Sequence, residues 1–166
     1  MPRLRRLSLF VSFVCFAGSF LAATALAADA SFVRLWPGWR DTESFDRIGE
    51  FLGGSEPVTG SRTLVRTQPA ARAGYYFLLR INSPERLAIG TKFELTVIRP
   101  DSPEPKTFTF AVTGAAGDNV FDLGVTGSDW PGGKKANPVA WKLTLLAPDG
   151  RVLTEHKSFL WEKPAK

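Results

Sequence analysis

The sequence contains almost no cysteine or histidine, the side chains that form most zinc sites in proteins. Its 166 residues include one cysteine, Cys15, and one histidine, His156. One cysteine is too few for a disulfide framework or for a cysteine-based zinc cluster. One histidine leaves no second imidazole for a histidine-based zinc site. We therefore expect no cofactor and no bound metal.

An excess of charge is also absent once the position of the basic residues is considered. The chain has 21 lysines and arginines against 16 aspartates and glutamates, a formal charge of +5. Three arginines among the first six residues precede an uncharged stretch, residues 7–28, that ends in the small-x-small motif Ala25-Leu26-Ala27. This order predicts a secretory signal peptide over residues 1–27. An uncleaved membrane anchor is the alternative, because 22 uncharged residues are enough to span a bilayer.

Cleavage after Ala27 leaves residues 28–166, with 18 basic and 16 acidic side chains, a net charge of +2 and no cysteine. These charges alternate in sign and form no basic block, so we expect no nucleic-acid partner. Membrane contact is expected only through the N-terminal segment, if it stays uncleaved. The remaining length suffices for one hydrophobic core. We therefore predict a single domain over residues 28–166, exported to the periplasm or the extracellular space.

Alternation of apolar and polar residues dominates the exported part and predicts β-strands. Residues 75–81 are apolar on both faces, which predicts a central strand. One segment, Asp41 to Leu52, has apolar residues at helical spacing, with Asp41 or Thr42 as its cap. The pattern predicts an all-β antiparallel sandwich of seven or eight strands with one short helix. The predicted strands are Phe32–Trp36, Thr63–Thr67, Tyr75–Ile81, Lys92–Val97, Thr107–Val112, Asn119–Val125, Val139–Leu145 and Val152–Trp161.

Two stretches resemble immunoglobulin-like domains. The segment Leu87–Val97 is similar to the corner and following strand of fibronectin-III-like and other immunoglobulin-like domains, with Phe93 at the place of their corner tyrosine. The segments Trp141–Leu145 and Asp149–Leu153 resemble the last hairpin of many bacterial immunoglobulin-like modules. The resemblance implies a fibronectin-III-like sandwich and no particular activity. Because phenylalanine has no hydroxyl, the tyrosine-corner hydrogen bond cannot form at Phe93.

Candidates for catalysis are few. His156 lies between Glu155 and Lys157, which predicts a solvated strand edge, and no Gly-x-Ser-x-Gly nucleophile motif occurs. The glycine-rich segment 127–135 departs from a phosphate-binding loop, because Ala136 stands where serine or threonine would bind magnesium. Asp118, Asn119 and Asp122 carry oxygen ligands but lack the spacing of a calcium-binding loop. We interpret Asp118 and Asn119 as turn residues and expect a protein that is not an enzyme.

The tryptophans are the most informative side chains. Trp141 and Trp161 share the parity of apolar strand positions and are predicted to pack in the core. The other three lie in two Trp-Pro-Gly segments that we expect to be loops, where they either cap the ends of the sandwich or contact a ligand. Two lysines follow the second segment. The candidate binding residues are therefore Trp36, Trp39, Trp130, Lys134 and Lys135.

Three functions follow from these features. The first is an exported, non-catalytic domain with an interaction or structural role, whose partner is another envelope or extracellular protein or a polysaccharide. The second is a carbohydrate-binding module, which requires at least two of Trp36, Trp39 and Trp130 to lie coplanar on one exposed face. The third is a small hydrolase, which requires two facing carboxylates in a pocket, one with a raised pKa.

Overall fold

The structure is a computed structural model that describes residues 30–44 and 62–161. The described part of the chain contains eight β-strands and two 3-10 turns. The strands are β1 Ser31–Arg40, β2 Arg62–Arg66, β3 Gly74–Ser83, β4 Lys92–Ile98, β5 Pro105–Ala111, β6 Gly117–Thr126, β7 Ala140–Leu146 and β8 Val152–Lys157. The 3-10 turns are Gly127–Asp129, which follows β6, and Phe159–Trp161, which follows β8.

The strands form two four-stranded sheets. The first sheet has the order β1-β3-β6-β2 and the second the order β5-β4-β7-β8. All neighbours pair antiparallel except β2, which runs parallel to β6. Residues 75–81, predicted as a central strand, lie in β3, between β1 and β6. The apolar residues on both faces of that strand therefore agree with its position.

The core lies between the two sheets and is built from the alternating apolar side chains. Phe93, Leu95 and Val97 of β4 are all fully buried, and each such side chain contributes about 1.5–3 kcal/mol on leaving water. The ring of Phe93 contacts that of Phe121 from the first sheet, with centroids 5.3 Å apart. Phe77 and Trp141 make a second inter-sheet contact, also at 5.3 Å. The fold is an all-β sandwich, which confirms the fold class predicted from the alternation.

Several predicted boundaries are wrong. β1 continues to Arg40, so the first Trp-Pro-Gly segment is strand and not loop. Pro37 is tolerated there because β1 is an edge strand of the described sheet. No described strand pairs with the other side of β1, so a backbone N–H on that side is not needed for a hydrogen bond. Val139 is half-exposed because β7 begins only at Ala140. β8 ends at Lys157, and the 3-10 turn that follows leaves Phe159 84% exposed. Trp161, predicted to pack in the core, lies in that turn and is only partly buried.

β7 and β8 form an antiparallel hairpin in the region that resembles the last hairpin of bacterial immunoglobulin-like modules. Gly150 has φ of +85°, a conformation that glycine adopts without steric cost. The Asp149 carboxylate accepts a hydrogen bond from the Arg151 backbone N–H at 3.0 Å. Together these features close the hairpin at the position that Pro148-Asp149-Gly150 predicts.

The predicted helix from Asp41 to Leu52 lies only partly within the described residues. Residues 42–44 are helical, and the Asp41 carboxylate accepts a hydrogen bond from the Ser44 backbone N–H at 2.8 Å. Asp41 is therefore the N-cap. The rest of that segment and the predicted signal peptide, residues 1–27, lie outside the described residues. Within the described ranges, no helix has the length and apolar character needed to cross a bilayer.

Candidate functional site

The outer face of the β1-β3-β6-β2 sheet carries three arginines in one row across its strands. Arg34 on β1 is opposite Arg80 on β3, Arg80 is opposite Val120 on β6, and Val120 is opposite Arg62 on β2. Neighbouring strands lie about 4.8 Å apart, so the row crosses the sheet within about 14 Å. Three of the four positions in this row are therefore permanently charged cations.

The adjacent row on the same face is mostly apolar. It contains Trp36 on β1, Leu78 on β3, Asp122 on β6 and Leu64 on β2. Trp36 is 55% exposed, which is unusual for so large an apolar side chain. The two rows border an open cleft of about 260 Å³. We call this surface the arginine–tryptophan face; it comprises Arg34, Trp36, Arg62, Leu78, Arg80, Val120 and Asp122.

Arg34 and Trp36 contact each other directly. They are two residues apart on β1, so their side chains project from the same side of the sheet. The guanidinium carbon of Arg34 lies 4.3 Å from the centroid of the Trp36 ring, a cation–π contact. Stacking holds the plane of the guanidinium but leaves its N–H donors at the edge, where they can bind a carboxylate, sulfate or phosphate.

Asp122 orients the arginine at the other end of the row. Its side chain is buried, and its Oδ2 accepts hydrogen bonds from Arg62 Nε at 2.9 Å and Nη2 at 2.6 Å. The Oδ1 atom is buried without a hydrogen-bond partner among the described residues. The buried carboxylate therefore fixes the Arg62 guanidinium, whose side chain remains 39% exposed.

The charges of this face are only partly balanced. Arg80 lies 3.9 Å from the Asp118 carboxylate, and both side chains are more than half exposed, so the pair is weak. No carboxylate of the described residues forms an ion pair with Arg34. Like charges directly opposite each other on neighbouring strands destabilise a sheet. The Arg34 and Arg80 pair is therefore a local cost that an anionic ligand would relieve.

A buried tyrosine on β3 lies next to the arginine–tryptophan face. In the next row, Tyr76 on β3 lies between Gly38 on β1 and Gly124 on β6. Its ring lies against Gly124, where a Cβ would come within 3.0 Å of three ring atoms. Its hydroxyl donates to the Arg72 carbonyl at 2.6 Å and accepts from Arg66 Nε at 2.9 Å. Burial raises the pKa of Tyr76, although the Arg66 hydrogen bond acts in the opposite direction.

The structure does not bring the three candidate tryptophans together. Trp130 is buried, with its ring centroid 4.7 Å from that of Tyr75 and its indole N–H donating to the Gly133 carbonyl at 3.3 Å. Trp39 packs against the core, whereas Trp36 lies on the outer face of the same strand. The three rings therefore do not form one exposed coplanar platform. Of the two alternatives for Trp130, its burial fits an indole that caps the core and not an exposed ligand contact.

Lys134 and Lys135 are exposed in the loop between β6 and β7, away from the arginine row. Asp129, near the start of that loop, forms an ion pair with Lys106 of β5 at 2.7 Å. Burial alone would raise the pKa of Asp129, but hydrogen bonds from Lys106, Thr67 and Gln68 outweigh it and hold the pKa below its usual value. The loop is thus anchored to the body of the sandwich, and its two lysines extend into solvent.

The remaining candidates for chemistry lie apart from one another. The His156 ring stacks on Trp141 at 5.6 Å and meets the edge of Phe32 at 5.7 Å. Asn119, predicted as a turn residue, is buried in β6, where its amide donates to the carbonyls of Ala115 and Gly117. Across residues 30–44 and 62–161, no three His, Cys, Asp or Glu side chains form a set that could hold a metal ion.

Sequence reasoning missed all three arginines of the face. Arg34 and Trp36 alternate on one strand, and this local signal was visible in the sequence. The rest depends on strand order, since Arg62 joins the row only because β2 pairs with β6. A strand parallel to its neighbour and distant from it in the chain cannot be located from alternation alone.

These features define an all-β sandwich domain with a cationic and aromatic outer face. No protein-family model, no curated protein and no solved structure matches the chain.

Proposed function

We propose that this chain is an exported, non-catalytic interaction domain that binds an anionic partner through the arginine–tryptophan face. The observation that carries the proposal is the row of Arg34, Arg80 and Arg62 across one sheet, next to the exposed Trp36. Arginine and tryptophan are the side chains that most often dominate binding energy at contact surfaces. Three cations within about 14 Å create a local positive electrostatic potential that attracts anions. The rest of the chain, where acidic and basic residues are nearly balanced, does not create one.

We further propose that the sandwich is of the fibronectin-III-like, immunoglobulin-like type. The strands β1, β3 and β6 of the first sheet correspond in order to A, B and E of such domains, and β4, β7 and β8 of the second to C, F and G. The additional strand β5 extends the second sheet next to β4. The departure is β2, which lies beside β6 but follows β1 in the chain and pairs in parallel. Because sandwich loops and faces vary independently of topology, this assignment carries no activity.

Export of the domain is supported by the sequence of residues 1–27, which has the charge, apolar stretch and cleavage motif of a signal peptide. Mass spectrometry of the protein purified from its native cell tests this part. We expect the measured mass to equal that of residues 28–166, with Ala28 as the first residue. An intact N-terminus together with a cytoplasmic location would overturn export.

Retention on the native envelope tests the binding role. The processed protein is mixed with the envelope fraction of its own cell, and the amount that sediments is measured for three forms. The first is the unaltered protein and the second is the double variant Arg34→Gln and Arg80→Gln. The third is the matched control Lys134→Gln and Lys135→Gln, which loses the same charge in an exposed loop. Thermal unfolding of all three forms verifies that each is folded.

We expect the unaltered protein and the loop control to sediment with the envelope. The face variant should be retained at least about tenfold less, since it loses two charge-assisted contacts. Equal retention of the two variants would overturn the role of the face. Failure of the unaltered protein to sediment would overturn an envelope partner.

A further inference from the structure

We infer that the ligand of the arginine–tryptophan face is an acidic polysaccharide, with one sugar ring on Trp36 and its carboxylate or sulfate groups on Arg34 and Arg80. This inference rests on the proposed function, because it uses the same face. It adds the chemical class of the ligand. The platform of two coplanar tryptophans expected of a carbohydrate-binding module is not formed by Trp36, Trp39 and Trp130. The site proposed here differs from such a module because it combines one open aromatic ring with paired cations.

The aromatic part of the site suits a sugar. Trp36 projects from a strand and is 55% exposed. Because an indole side chain has only two rotatable torsions, little conformational entropy is lost when a ring stacks on it. Arg34 covers part of the indole at 4.3 Å, and the exposed remainder is a rigid apolar surface. The C–H groups on one side of a pyranose ring complement such a surface, whereas a free inorganic anion makes no use of it.

The cationic part suits acid groups at the spacing of a sugar chain. Arg34 and Arg80 are direct partners on neighbouring strands, whose backbones lie about 4.8 Å apart, so both side chains extend from the same part of the face. Each guanidinium can bind one carboxylate or sulfate through two parallel hydrogen bonds. Arg62 lies two strands further on, held by Asp122, so the row offers a third contact at the far end.

The shape of the face suits a polymer. The cleft of about 260 Å³ is smaller than a typical site that encloses a whole small molecule. The row of arginines runs from β1 to β2, which are the two edges of the described sheet. A linear ligand that crosses the strands therefore meets no further strand of the described residues beyond either edge. A peptide made only of acidic residues would pair with the arginines but would have no ring to place on Trp36.

Titration with defined hexamers tests the ligand class. The probes are hexagalacturonate, a sulfated heparin hexasaccharide, the neutral maltohexaose, a hexaglutamate peptide and a six-nucleotide thymidine strand. Binding is measured by calorimetry at low and at high salt, for the unaltered protein, Trp36→Ala, the double variant at Arg34 and Arg80, and the loop control at Lys134 and Lys135. Binding of hexagalacturonate would show that carboxylates are sufficient, and binding of the heparin hexasaccharide alone would show that sulfate groups are needed.

We expect at least one acidic hexasaccharide to bind, with weaker binding at high salt. Trp36→Ala and the arginine variant should each weaken it at least about tenfold, and the loop control should not change it. Tighter binding of the peptide or the thymidine strand, or unchanged binding to Trp36→Ala, would overturn the sugar ligand. If no acidic sugar binds while the arginine variant still loses envelope retention, the ligand class is wrong and the binding role stands. If envelope retention is also unchanged, both are wrong.

Discussion

Replacement of Gly124 by alanine tests the packing that supports the candidate face. A Cβ at this position would lie within 3.0 Å of three ring atoms of Tyr76, whereas carbon atoms in contact normally lie about 3.5–4.0 Å apart. Tyr76 is fully buried. Its hydroxyl donates a hydrogen bond to the Arg72 carbonyl and accepts one from Arg66 Nε. The ring therefore cannot move aside without breaking those bonds or displacing β6.

The expected cost of Gly124→Ala follows from two opposing effects. Overpacking of a buried contact costs about 1–3 kcal/mol, and the lower flexibility of alanine in a strand returns about 0.5–1 kcal/mol. We expect a net loss of about 1–2 kcal/mol in the free energy of unfolding, measured by urea denaturation. Gly38, on the opposite side of Tyr76, is the matched control, because a Cβ added there would have no heavy atom of the described residues within 4 Å.

Gly38→Ala should be neutral or slightly stabilising, since it adds the same methyl group without a clash. The double variant Gly124→Ala with Tyr76→Leu isolates the cause, because leucine lacks the ring atoms that clash. In that background the alanine should cost nothing, which gives a coupling free energy of about 1 kcal/mol or more. An unchanged free energy of unfolding for Gly124→Ala, or an equal loss when Tyr76→Leu is also present, would refute the close contact between the Tyr76 ring and Gly124.

Two further predictions concern the loop between β6 and β7. Trp130→Ala should lower the free energy of unfolding by about 3–5 kcal/mol, as expected for a large core aromatic. Trp36→Ala, at an exposed position, should change it by less than about 0.5 kcal/mol. Both values are measured by chemical denaturation, and similar losses would contradict the different burial of the two indoles. Asp129→Asn should cost about 0.5–1 kcal/mol at neutral pH. Because the folded-state pKa of Asp129 lies below its usual 3.8, that advantage is complete above the unfolded-state pKa and is lost as the pH falls through the folded-state value. A constant difference between the two proteins across acidic thermal melts would show that the Lys106 pair contributes nothing.

The core of the sandwich could be predicted because its signal is local. Phe93, Leu95 and Val97 alternate with polar residues within one strand, and a side chain in a strand has only two faces to occupy. The burial of one face against a second sheet then follows from hydrophobicity alone. The central position of residues 75–81 was also expected from their apolar residues, and β3 does lie between β1 and β6. Its outer face, however, remains open at Leu78 and Arg80.

The candidate face could not be predicted because its signal is distributed over four strands. Arg34, Arg80 and Arg62 are far apart in the chain and become neighbours only through the pairing of β1, β3, β6 and β2. Their alternation shows that each points away from the core, which is the ordinary place for an arginine. Only the register makes them a row. Trp130 illustrates a different limit, because its position in an expected loop left both a core cap and a ligand contact open. Only the structure shows that its indole is buried.

The indole N–H signals of the tryptophans provide the most direct test of the central claim that the arginine–tryptophan face binds an anionic ligand. The sequence has five tryptophans, so each N–H signal can be assigned by single replacement in two-dimensional NMR spectra. On titration with hexagalacturonate or the heparin hexasaccharide, we expect the signal of Trp36 to shift saturably while those of Trp130 and Trp141 stay in place. A saturable shift confined to other tryptophans, with Trp36 unmoved, would contradict the account.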